Sequence, residues 1–263
     1  MTEKISENYK PDPSRIGVGH SFDQQIWIDT LATIENSGVC TQDVIENFML
    51  FMRRVNFAKF VTHIELFKKT IDLPGSIVEC GVFKGMSLLT FAKLVEVYCA
   101  GDTLKRIIGF DTFEGFVSLN PKDGVPDTRR GKVEGGWNAG EFLPTLESLI
   151  DITQRDSMIP RFKRIELVKG DVCKTIPEYI KTNPGLRISL LHLDLDLYEP
   201  TLAALESLYP LVVPGGVVLL DEYGMEGFPG ESAAFDEYFG KNRPKLVKFP
   251  FISTPGGYFI KEG

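Results

Sequence analysis

Two stretches of the sequence carry carboxylates where a folded chain can least afford them. Leu190-Leu191-His192-Leu193-Asp194-Leu195-Asp196-Leu197-Tyr198 alternates apolar and ionisable residues with a period of two. In a β-strand that period places His192, Asp194 and Asp196 on one face. Gly215-Gly216-Val217-Val218-Leu219-Leu220-Asp221-Glu222-Tyr223 is an apolar run ending in two further carboxylates. Buried carboxylates are costly unless they are paired, hydrogen-bonded or bound to a metal. Three or four at adjacent strand ends therefore point to cation binding or acid–base chemistry. Such oxygen-rich clusters suit Mg²⁺, Mn²⁺ or Ca²⁺ rather than zinc. His192 lies deeper in its strand and fits a satisfied core histidine as well as a catalytic one.

Upstream, Val78-Glu79-Cys80-Gly81-Val82-Phe83-Lys84-Gly85-Met86-Ser87 reads as an E-x-G-x-x-x-G turn between a strand and a helix. Its glycines allow close backbone approach to a ligand, and the helix amides offer donors to an anionic group. The spacing is not G-x-G-x-x-G, which weakens a dinucleotide reading. About thirty residues on, an acid such as Asp111 in Gly109-Phe110-Asp111-Thr112-Phe113-Glu114-Gly115-Phe116 can accept both ribose hydroxyls, or it can cap a helix. Asp171, in Lys169-Gly170-Asp171-Val172, fits the adenine amino edge or an N-cap equally well. Together these strand ends favour a nucleoside with a short anionic or zwitterionic tail.

The elements that must position these residues follow from periodicity. Short apolar runs at Ser76–Cys80, Arg106–Phe110, Ile165–Val168, Ile188–Leu195 and Gly216–Leu220 alternate with helical stretches near 86–99, 141–151, 174–182, 199–209 and 231–239. Two more strands are expected in the tail, at Leu246–Phe251 and Tyr258–Ile260. The alternation predicts an α/β fold: a mostly parallel seven-stranded sheet with helices on both faces. Apolar spacing over Gln24–Lys69 predicts two or three helices, broken at Asn36-Ser37-Gly38. Residues 1–22 read as an arm or lid, and residues 1–70 as an arm and helical layer belonging to the same domain as a 71–263 core. The 117–140 stretch is long, irregular and glycine-rich. It is expected to close over an acceptor, with Arg129, Arg130 and Trp137 meeting phosphate or a ring.

Of 263 residues, 43% are hydrophobic, and 36 acidic against 29 basic side chains leave a net charge of −7. That balance argues against a duplex nucleic-acid partner. No apolar run approaches the roughly 18 to 20 residues of a membrane span. The polar start, MTEKISENYK, shows no secretory pattern and predicts a cytoplasmic location. Cys40, Cys80, Cys99 and Cys173 lack C-x-x-C spacing and are expected to be buried, reduced thiols.

E-x-G-x-x-x-G, G-F-D-T-F-E-G-F, L-H-L-D-L-D-L-Y-E-P-T and P-G-G-V-V-L-L-D-E-Y-G, in that order between about Ile71 and Phe239, resemble the macrocin O-methyltransferase (TylF/MycF) family. The resemblance implies a Rossmann-like class I fold that uses S-adenosylmethionine and Mg²⁺ or Mn²⁺. By it, Glu79, Gly81, Gly85 and Ser87 would hold the methionine portion, Asp111 with Thr112 and Phe113 the ribose, and Asp171 the adenine edge. Asp194, Asp221 and Glu222 would be metal ligands, although the family usually has Asp-Asp where this chain has Asp221-Glu222. Asp196 would be the general base, with Asp194 and His192 beside it. The implied acceptor is a deoxysugar hydroxyl, on a glycosylated natural product or a nucleotide sugar, and the implied assembly is a homo-oligomer. One alternative is a catechol or phenol O-methyltransferase, with Trp27, Phe48, Phe51 and Phe57 lining a flat pocket, though core packing explains those aromatics more simply. Another is a non-catalytic nucleoside-binding or metal-sensing module.

Overall fold

Five of the apolar runs become parallel strands: β1 (Ser76–Cys80), β2 (Ile107–Asp111), β3 (Ile165–Lys169), β4 (Ile188–Leu193) and β5 (Val212–Leu220). The structure, a computed structural model, describes residues 21–159 and 162–263. The arm expected over 1–22 therefore lies almost wholly outside the described residues. A sixth strand, β6 (Gly257–Ile260), runs antiparallel along β5, giving the order β3-β2-β1-β4-β5-β6. The order reverses between β1 and β4, and in open α/β sheets ligands bind in the crevice at such a switch point.

The sheet is apolar on both faces, as a covered parallel sheet must be. Ile77, Ile107, Leu190, Val217 and Leu219 pack against α4 (Arg54–Lys68), α5 (Met86–Tyr98) and α6 (Leu143–Arg155). Val78, Cys80, Ile108, Leu191, Leu193, Val218 and Leu220 pack against α7 (Val172–Thr182), α8 (Tyr198–Leu208) and α9 (Pro229–Phe239).

Several expectations need correction. Among the described residues the sheet has six strands, not seven. The Leu246–Phe251 segment supplies one antiparallel bridge, Val247 to Tyr258, and nothing longer. Pro244 and Pro250 flank it without an N–H to extend the ladder. Strand β4 stops at Leu193, because the chain turns at Asp196, whose φ is +60°. Among the described residues the N-terminal region forms four helices: α1 (Ser21–Ser37), α2 (Thr41–Glu46), α3 (Phe48–Phe51) and α4. No described side chain before Ala58 is buried, so core packing does not account for Trp27, Phe48, Phe51 and Phe57. Phe48 and Phe57 are exposed, and Trp27 lies under the Arg53 guanidinium. All four cysteines are free, but Cys80 alone is buried. Cys40 and Cys173 sit at helix starts, on the surface.

The 117–140 stretch is built from short 3₁₀ turns, Pro121–Asp123 and Thr128–Arg130 among them. Buried Lys132 donates to the carbonyls of Asp123 and Gly227, each at 2.8 Å. Asp123 accepts the Tyr198 amide at 2.6 Å. Trp137 meets Phe83 edge-on at 5.4 Å. These ties fasten the loop to the turn after β1, to the start of α8 and to the approach to α9.

No helix among the described residues is long and apolar enough to cross a membrane.

Candidate active site

Parallel register brings the separate motifs to one edge. Cys80 is level with Phe110 on one side and Leu193 on the other, and Leu193 is level with Leu220. The next residues, Gly81, Asp111, Asp194 and Asp221, therefore line up along the carboxyl ends of β1, β2, β4 and β5.

On the β1–β2 side, Gly81 has φ +91°, and a Cβ there would collide with the carbonyl oxygen of Asp194. Only glycine lets the two strand ends cross so closely. Gly81→Ala is expected to weaken both ligand halves of the crevice together. Calorimetric titration with a nucleoside ligand and with a divalent cation checks this, and unchanged affinities would show that the crossing does not shape the pocket. Gly85 (φ +79°) caps α5, and a Cβ there would run into Leu146. Asp111 accepts the Phe83 amide at 2.7 Å and the Phe113 amide at 2.6 Å. Phe83 and Phe113 themselves have positive φ. Each Asp111 oxygen keeps a lone pair for a sugar hydroxyl. Burial pushes this carboxyl up from its ordinary value, although three backbone amides oppose the shift. Thr112 closes the turn through the Gly115 carbonyl at 2.9 Å. Ser87 donates its hydroxyl to the buried carboxylate of Glu79, facing inward. Asp171 is the N-cap of α7, accepting the Cys173 amide at 3.0 Å and the Lys174 ammonium at 3.1 Å.

On the β4–β5 side, alternation places Glu79, His192, Asp194 and Asp221 on the α4–α6 face of the sheet. One ligand atom from each of His192, Asp194 and Asp221 lies within 4.8 Å of the others. His192 Nε2 is 3.7 Å from Asp221 Oδ1 and 4.0 Å from Asp194 Oδ2, and Nδ1 is 3.4 Å from Glu79 Oε1. Burial alone would lower His192, but the Asp221 and Glu79 carboxylates outweigh it and hold the imidazole up at about 10. Asp194 is pushed up to about 7, by burial and then by the Asp221 carboxylate. Asp221 behaves oppositely. Burial would raise it, yet Lys59 and His192 hold it well below the usual carboxylate range.

Glu222 follows Asp221, beyond the end of β5. Its amide donates to Glu231 at 2.9 Å. Burial and the Asp196 carboxylate lift Glu222 well above its ordinary value. Asp196, beyond the end of β4, is lifted likewise by burial and by Asp194. The structure thus brings Asp194 and Asp221 together with His192, and joins Glu222 electrostatically to Asp196, Asp221, Asp194 and Glu231.

Two residues escaped the sequence reading. Lys59 Nζ bonds Asp221 Oδ2 at 3.1 Å. His63, one turn later on α4, is fully buried with neither nitrogen hydrogen-bonded, its ring 5.8 Å from that of His192. Their signal was visible: polar residues four apart, in step with the buried stripe of an amphipathic helix.

A β3-β2-β1-β4-β5 order closed by an antiparallel strand, with a glycine turn and an acid beside a carboxylate cluster, defines a Rossmann-like fold of the class I methyltransferase type. The crystal structure of CalS11, a calicheamicin methyltransferase, superposes with a TM-score of 0.86 at 31% identity, covering 96% of this chain and 98% of that one. An apo structure of CalS11, described as a TDP-rhamnose 3'-O-methyltransferase, gives 0.78 at 30% identity, covering 95% and 99%. The profile of the TylF macrocin-O-methyltransferase family matches residues 47–245, and the chain belongs to that family. The 8-demethyl-8-(2,3-dimethoxy-alpha-L-rhamnosyl)-tetracenomycin-C 4'-O-methyltransferase of Streptomyces olivaceus is 31% identical over 158 residues, 59% of this chain and 55% of that protein. The mycinamicin III 3''-O-methyltransferase of Micromonospora griseorubida is 27% identical over 183 residues, 68% of this chain and 66% of that protein. The chain thus spans between about half and two thirds of these two relatives' lengths.

Proposed function

We propose that the protein transfers a methyl group from S-adenosylmethionine to a hydroxyl of a deoxysugar, carried on a nucleotide or on a glycosylated natural product, with the help of a divalent cation. The observation that carries this reading is the shared edge: a nucleoside-type cradle at Gly81 and Asp111 lies directly beside the carboxylates at Asp194 and Asp221. Two similar proteins support the acceptor class by what they methylate, a rhamnosyl-tetracenomycin in the Streptomyces olivaceus enzyme and TDP-rhamnose in CalS11.

The cradle fits the cofactor, because Asp111 at the end of β2 has acceptor capacity left for ribose, beside a glycine turn that lets the ends of β1 and β4 cross closely. The cluster fits a hard cation. Asp221 Oδ1, Glu222 Oε2 and both nitrogens of His192 are buried without a hydrogen-bond partner, a costly state that a ligand relieves. Asp194 and Asp221 would hold the ion, with Glu222 completing the carboxylate set as the family resemblance implies. A divalent cation there supplies a Lewis acid that lowers the pKa of an acceptor hydroxyl. The chain's own part is alignment and proton transfer. The β1 turn and Asp111 fix the cofactor, the 117–140 loop covers the acceptor, and the Asp196 carboxylate takes the hydroxyl proton.

S-adenosylhomocysteine is expected to bind with micromolar affinity or better and NAD not at all, as read by calorimetry. A methyl-transfer screen over nucleotide deoxysugars, glycosylated natural products and catechols then identifies the acceptor. Binding of NAD with no binding of S-adenosylhomocysteine would overturn the reading. Cofactor binding with no transfer to any hydroxyl would favour the non-catalytic module.

A further inference from the structure

The two oxygens of Asp221 live in different surroundings. Oδ2 accepts a charged hydrogen bond from Lys59 at 3.1 Å. Oδ1 is buried, has no hydrogen-bond partner and lies 3.7 Å from His192 Nε2. Lys59 is not a neighbour in sequence. It comes from α4, in the N-terminal helical layer, and reaches across 162 positions to the end of β5. Its side chain is 27% exposed and that of Asp221 only 3%. The lysine therefore enters the cluster from the rim, while the carboxylate is committed to the interior.

We propose that Lys59 is a positioning residue for the cation site: by holding Oδ2, it fixes the Asp221 rotamer so that Oδ1 faces His192 and Asp194. The inference rests on the reading that a divalent cation binds this cluster. Three observations support it. The ammonium occupies the outer oxygen and leaves the inner one 3.7 Å from His192 Nε2, in a residue that offers one carboxylate oxygen to the 4.8 Å group with His192 and Asp194. Its charge also faces Asp194 and Glu222, so it offsets repulsion within a cluster that must stay assembled before any ion arrives. The pair is, moreover, anchored on a carboxylate only 3% exposed, and removing the ammonium would leave that buried charge without this partner, a costly state. Partners that orient a metal ligand from behind are worth roughly 10- to 100-fold in metal affinity.

The opposite role is also physically definable. Lys59 could be a resident cation that an incoming metal must displace, and its removal would then tighten metal binding. Mn²⁺ titration of the full chain, with free Mn²⁺ read by its paramagnetic resonance signal, separates the two without any turnover. S-adenosylhomocysteine affinity, measured on the same samples, reports the integrity of the fold. Lys59→Met is expected to weaken Mn²⁺ binding about 10- to 100-fold, in the range for such partners, with S-adenosylhomocysteine affinity unchanged. Lys59→Arg, which keeps the charge and a donor, is expected to restore most of the loss. Unchanged or tighter Mn²⁺ binding in Lys59→Met would overturn the positioning role. So would parallel loss of both ligands, which would mark the pair as part of the fold. Failure of the wild type to bind Mn²⁺ would instead sink the metal reading itself.

Discussion

Asp194→Ala is expected to abolish methyl transfer while leaving S-adenosylhomocysteine affinity nearly intact. The carboxylate sits where β4 ends, within reach of both His192 and Asp221. Its main chain does separate work: the Asp194 amide donates to the Cys80 carbonyl at 2.8 Å, and its carbonyl packs over Gly81. Alanine keeps those backbone contacts, so the cofactor cradle survives. What is lost is one of the anionic side chains proposed to hold the cation. Metal-assisted stabilisation is worth several kcal/mol, and about 4 kcal/mol corresponds to roughly a thousandfold in rate. Excess EDTA should reproduce the loss in the wild type, and added Mg²⁺ should reverse it. A fully active variant, or full wild-type activity in EDTA, would defeat the metal reading and leave proton transfer to Asp196 or His192 alone.

That the cluster could be read from the sequence at all reflects a simple geometric fact. Parallel strands in register end at the same level, so an acid following each apolar run must meet the acids following its neighbours. Asp111, Asp194 and Asp221 were legible for that reason. Asp196 lies within the electrostatic reach of Asp194 and Asp221, but period-two alternation does not explain its position. Alternation carries His192 and Asp194 to one face, but the sheet ends before Asp196, which is held there by a turn with positive φ. Glu222 lies where the rule stops, beyond the end of β5, and it is its amide that meets Glu231. The seventh strand failed for a local reason: the apolar pattern at Leu246–Phe251 is present, but the flanking prolines cannot extend a ladder. Lys59 was illegible as a partner of Asp221, because contacts across 162 positions depend on how α4 docks. Periodicity predicts the helix and not its tilt.

Asp196 carries the most exposed claim about mechanism. Asp196→Asn is expected to cut kcat by roughly 10²- to 10⁴-fold, the usual worth of a positioned general base, while Mn²⁺ affinity remains close to that of the wild type. The backbone argues for a role: φ of +60° is uncommon outside glycine, although aspartate tolerates it better than most, and such conformations gather at functional sites. The electrostatics give the pH dependence. Burial, with Asp194 and Asp221 nearby, holds the Asp196 proton on to pH values well above the ordinary carboxylate range. A base must be deprotonated to act, so the wild-type rate should climb with pH as that proton leaves, tenfold per pH unit on the acid limb, and then level. Asparagine has no proton to lose, and the climb should flatten in the variant. If Asp196→Asn keeps both the rate and the acid limb, the proton goes elsewhere. His192, its Nε2 within 4.0 Å of both Asp194 and Asp221, then becomes the group to test, with His192→Gln expected to remove the limb instead.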